Sequence, residues 1–171
     1  MKNRFFIVLF LSCFSSSLMA QKFAYVDTEY ILNNIPSYKT ATQQLDEISK
    51  KWQAEVEKVF GEVELLYKKF QNEKVMLSED MQKQREEEVI NKEKEAKALQ
   101  KKYFGKEGDL FKKRQELVKP IQDEIYNAVK ELSQESEYAI IFDTAGGGNV
   151  MYTDPKYDLS DQVLKKMGHN K

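Results

Sequence analysis

Few residues in this chain could do chemistry, and their spacing limits what they could do. Gly146-Gly147-Gly148 is the only glycine-rich run, but no Lys-Ser/Thr follows it and the next segment reads as a strand. A phosphate cradle needs a helix N-terminus at that place, so the run reads as a flexible turn. His169 is the only histidine and sits in a polar tail, without the companions that a metal site or general base requires. Asp27 and Asp143 each close a strand-like segment, so a paired-carboxylate site would rest on them alone; acids there are more often turn formers. Cys13 is the only cysteine, and no Gly-x-Ser-x-Gly is present. The sequence therefore supports no enzyme, no metal and no cofactor.

The first twenty residues read as an export signal. Lys2 and Arg4 are followed by an apolar run from Phe5 to Leu11, then by small and polar residues up to Ala20. The run is far below the ~20 residues that span a bilayer. Cleavage after Ala20 is expected, giving a periplasmic product, and this layout is favoured over lipidation at Cys13. Losing Lys2 and Arg4 leaves 25 basic residues of the 27 against 28 acidic ones, a net charge of about −3. The two signs are interleaved, so no basic stripe for nucleic acid or an anionic membrane emerges.

The long middle, residues 37–119, reads as a helical hairpin. Tyr38, Ala41, Leu45, Ile48, Trp52, Val56, Val59, Val63, Leu66 and Phe70 recur in steps of 3 and 4 that average about 3.6. That is a narrow apolar stripe of coiled-coil type. Acid-first pairs at i, i+4, such as Glu64–Lys68, Glu88–Lys92 and Glu93–Lys97, suit an exposed helix. Ser78 followed by Glu79 and Asp80 is a helix start, which puts the tip near 76–80. Pro120 is the next strong break. The arms Ser37–Leu77 and Glu79–Lys119 are then 41 residues each, or ~60 Å. Gly61, Gly105, Gly108 and Pro120 are hinge candidates, and Tyr103, Phe104 and Trp52 are expected to cluster.

The remainder, 21–36 and 120–171, reads as a β-rich body with flanking helices. Lys22–Val26 and Tyr138–Phe142 are strands, Val150–Tyr152 is a third that pairs back as a hairpin, and Asp158-Leu159-Ser160-Asp161 starts a final helix. In the first strand Phe23 and Tyr25 share one face, Ala24 and Val26 the other. So small a sheet has open edges and a thin core, so self-association is a physical expectation. Phe23, Tyr25, Val26, Ile140, Ile141, Phe142, Val150 and Tyr152 would form the oligomerisation body. The fold class is α+β, mostly helical: a long antiparallel coiled-coil hairpin projecting from a small β body.

At Leu110-Phe111-Lys112-Lys113-Arg114-Gln115-Glu116-Leu117-Val118-Lys119-Pro120-Ile121-Gln122-Asp123 the chain resembles the Skp/OmpH family of periplasmic chaperones. Phe23-Ala24-Tyr25-Val26-Asp27, Leu77-Ser78-Glu79, Ala128, Tyr138–Asp143 and Asp158–Leu164 fit as well, so the likeness covers essentially the whole chain after the signal. It implies a homotrimer whose strands form a shared barrel and whose arms enclose a cavity. There, unfolded outer-membrane proteins would be held without ATP. Strongly basic relatives bind lipopolysaccharide and anionic membranes; this chain lacks that charge, so neither is expected. Capture would then rest on the arm's inner apolar residues Val63, Leu66, Tyr67, Phe70, Met76, Leu77, Met81 and Val89, each of which packing between the arms would equally explain. Methionine and aromatic side chains adapt to varied surfaces. The alternative from another class is a structural or adaptor coiled-coil protein of the cell envelope.

Overall fold

The computed structural model describes residues 21–146 and 150–169; the expected signal, with Ala20 and Cys13, lies outside them, as do Gly147 and Gly148. In order the chain forms β1 (Lys22–Val26), α1 (Thr28–Asn33), α2 (Pro36–Glu73), a 3₁₀ turn (Lys74–Met76), α3 (Glu79–Phe104), α4 (Asp109–Ser136), β2 (Tyr138–Asp143), a second 3₁₀ turn (Pro155–Tyr157) and α5 (Ser160–Lys166). These divide into two compact units, one of residues up to Ile31 and from Asn127 onward, the other Leu32–Tyr126.

In the first unit β1 and β2 form a parallel pair, with Phe23 opposite Ile140 and Tyr25 opposite Phe142. The alternation in β1 decides its faces: Ala24 and Val26 are each 3% exposed, whereas Phe23 is 46% exposed. Ile31, Ala128, Leu159, Val163 and Leu164 complete the buried set on this side. Polar groups tie the strand ends. The Ser160 hydroxyl accepts from the Asp27 amide at 2.9 Å and donates to Asp158 Oδ1 at 2.6 Å. Asp143 accepts from the amide and hydroxyl of Thr28 and from the Ala145 amide, and Asp27 Oδ1 accepts from the Tyr30 amide. Both strand-closing acids thus serve as turn formers.

The third strand expected at Val150–Tyr152 does not form; these residues are irregular. After β2 the chain returns along β1 rather than β2: the Leu159 amide donates to the Tyr25 carbonyl at 2.9 Å, making a single bridge between Tyr25 and Asp158. Burial of Leu159, Val163 and Leu164 draws the segment to that edge, which leaves Val150–Tyr152 without a ladder.

The second unit holds the hairpin. Pro36 occupies the first turn of α2, where its missing N–H costs nothing. The helix runs 38 residues without interruption, about 57 Å at 1.5 Å per residue, and passes straight through Gly61. Ser78 caps α3, accepting from the Met81 amide at 3.4 Å. The Gln82 side-chain amide donates to the carbonyls of Lys74 and Leu77 at 2.9 and 3.1 Å, so two of the tip's acceptors are satisfied from within the turn.

The return arm differs from the expectation of one helix stopped by Pro120. It ends at Phe104, resumes at Asp109, and α4 then passes through Pro120. The reason is steric and local. A Cβ on Gly105 would lie 2.4 Å from the Lys101 carbonyl oxygen, and one on Gly108 2.8 Å from those of Lys102 and Tyr103. Only glycine permits this turn, whose bonds run from the Gly105 amide to Lys101 and from the Gly108 amide to Gly105, both 2.9 Å. Around Pro120 the buried stripe of Val118, Ile121, Ile125 and Ala128 outweighs one lost backbone bond.

Candidate functional site

Within the hairpin, side chains pair across the arms at two levels. Near the break, Trp52 and Tyr103 stack with ring centroids 4.7 Å apart and planes 3° from parallel, and Phe104 meets Tyr103 edge-on at 6.4 Å. The Tyr103 hydroxyl donates to Glu55 at 2.7 Å. That bond, then desolvation, raises the Tyr103 pKa above its ordinary value. The aromatic cluster expected from residue counting is therefore present.

Midway, Lys92 reaches Glu62 on the opposite helix at 2.8 Å and Glu95 on its own at 3.1 Å. Glu88, the expected i, i+4 partner of Lys92, pairs instead with Arg85 at 2.8 Å. The Glu64–Lys68 and Glu93–Lys97 pairs form as spaced. A groove of about 650 Å³ beside Lys92 is lined by Leu66 and by polar or charged residues of α3 including Gln84, Glu87 and Asn91.

Burial sorts the candidate capture residues. Phe70 is only 7% exposed, which favours packing between the arms as its role. Val63, Leu66, Leu77 and Val89 are half-buried, while Tyr67, Met76 and Met81 are exposed. At the tip Val75 is 93% and Met76 78% exposed. Leu65 and Ile90 are also exposed and lie outside the expected capture set; Leu65 falls beside the periodic stripe rather than on it.

In the first unit the outer face of the sheet is a second apolar surface. Phe23, Ile140 and Phe142 are each about half exposed. A groove of about 820 Å³ runs over this face, lined by Phe23, Tyr25, Tyr138, Phe142, Val150, Tyr152 and Tyr157 among others. Of the expected body residues, Val26 faces the buried side and Ile141 is half-buried. No described helix is long and apolar enough to cross a membrane. His169 makes a backbone bond to Leu164.

The family model for outer membrane protein (OmpH-like) matches residues 22–167. The chain belongs to this OmpH-like family. It is similar to chaperone protein Skp of Vibrio cholerae, 28% identical over 161 residues that cover 88% of this chain and 89% of the relative. Chaperone protein Skp of Yersinia enterocolitica is 25% identical over 153 residues, 90% of each. Among solved structures, a candidate OmpH-like outer membrane chaperone from Caulobacter crescentus shares the fold, with a TM-score of 0.62 over 85% of this chain and 82% of that one at 16% identity. The OmpH-like fold here is mostly helical, with long helices and a small two-stranded sheet. Its Skp relatives support a chaperone role.

Proposed function

We propose that this OmpH-like chain is an ATP-independent holdase of the periplasm, exported by its first twenty residues, that binds unfolded outer-membrane proteins and keeps them from aggregating. The observation that carries the reading is the tip, where the side chains of Val75, Met76 and Met81 stand exposed while the turn is fastened by Ser78 and Gln82. Apolar side chains that the fold does not use are available to clients, and methionine adapts to many shapes. Capture of this kind acts by mass action, lowering the free concentration of unfolded client. Tyr67, Val63, Leu66, Leu77 and Val89 would extend the surface along the arm.

The chain works as a homotrimer in this reading. Support comes from the exposed apolar sheet face at Phe23, Ile140 and Phe142 and from a two-stranded sheet too small to protect its own edges. Mixed surface charge supports apolar capture rather than binding to lipopolysaccharide.

The test is light scattering after a urea-unfolded β-barrel protein is diluted into buffer with or without the chain. Scattering suppressed at a stoichiometric excess is expected. Scattering unchanged, with binding to one fixed envelope partner instead, would establish an adaptor.

A further inference from the structure

We infer that the Trp52–Tyr103 stack is a latch that limits how far α3 can peel away from α2. The two helices are held together very unevenly. From the tip down to Lys101, α3 buries a single side chain, Ala96, and its tie midway is the partly exposed Lys92–Glu62 pair. The other apolar side chains of this stretch, such as Val89 and Leu99, are only half-buried, so it opens locally far more easily than the chain unfolds. The last turn of α3 is different. There the Tyr103 ring lies flat on Trp52, stands at 85° to the Phe104 ring, and its hydroxyl is anchored on Glu55, three residues beyond Trp52 on α2. One side chain is thus fixed to the opposite helix at both its face and its end.

Immediately beyond the latch the helix breaks at Gly105–Gly108. The corner at Ser78 is itself closed by the Ser78 cap and the Gln82 side chain. Separation of α3 from α2 is therefore confined between that corner and Tyr103, which sets the largest gap that the two helices can form. The inference concerns movement of α3 against α2 inside the hairpin, and it holds whether or not the chain captures clients.

Hydrogen exchange read by mass spectrometry on the full chain tests it. In the wild type, amides of residues 82–95 are expected to exchange at least tenfold faster than those of residues 98–104. Tyr103→Leu should raise the second group to the rate of the first while leaving total helicity by circular dichroism unchanged. Tyr103→Phe, which keeps the ring and loses the hydroxyl bond, should fall between. Trp52 is the only tryptophan, so its emission should move to longer wavelength in the Leu variant alone. Uniform exchange along α3 in the wild type would overturn the latch. So would unaltered exchange at residues 98–104 in Tyr103→Phe, a variant too mild to prevent folding, together with Trp52 emission unmoved in Tyr103→Leu.

Discussion

Lys92 pairs with Glu62 across the hairpin, 2.8 Å away, rather than with Glu88 one turn back on its own helix. A bond along α3 would support that helix alone, whereas this one joins the two arms. Its hydrogen bonds, to Glu62 first and then Glu95, raise the Lys92 pKa; the bond to Lys92 lowers that of Glu62.

The sign of its pH dependence follows. A depressed carboxylate contributes stability above its ordinary 4.5 and loses it as pH falls through the lowered value. A raised amine contributes below its ordinary 10.5 and loses it as pH rises through the raised value. The difference in melting temperature between wild type and Lys92→Ala should be small, about a degree, as befits a solvated pair. It should be flat between those limits and vanish well below pH 4.5.

Glu137, between α4 and β2, has φ of +56° and is the only described non-glycine residue with positive φ. A left-handed conformation costs an L-residue about 1–2 kcal/mol, less the entropy that glycine gives up on folding, about 0.5–1 kcal/mol. Glu137→Gly should therefore stabilise the chain by up to about 1.5 kcal/mol in urea denaturation. Glu137→Val, β-branched at the same position, should destabilise it by a similar amount or more.

Phe142 is 49% exposed on the outer sheet face, opposite Tyr25 in the ladder. If copies associate through this face, Phe142→Glu should lower the association constant by at least tenfold while sparing secondary structure. Sedimentation equilibrium at micromolar concentration measures it. A wild-type chain that sediments as a monomer would remove the homotrimer.

Much of this was legible because it is local. The alternation of Phe23, Ala24, Tyr25 and Val26 fixes the faces of β1, and Ser78-Glu79-Asp80 carries its own cap. Counting outward from that corner brings Tyr103 to Trp52. What was not legible depends on pairing at long range. Nothing in Val150–Tyr152 says that the following residues will choose β1 through the Leu159 amide. Pro120 outranked Gly105 and Gly108 as a break because a proline's cost is visible in one residue. The glycines matter instead through their approach to the carbonyls of Lys101, Lys102 and Tyr103. Likewise the choice of Glu62 over Glu88 by Lys92 requires the opposite helix to be in place.

The Gln82 side chain that closes the corner has an evolutionary consequence. Because the bend is fastened by the Gln82 amide, the Ser78 hydroxyl and backbone bonds, the exposed side chains of Val75 and Met76 take no part in closing it. Selection can exchange a valine for a phenylalanine there, or a methionine for a leucine, and alter what adheres to the end of the arm while its scaffold stays the same.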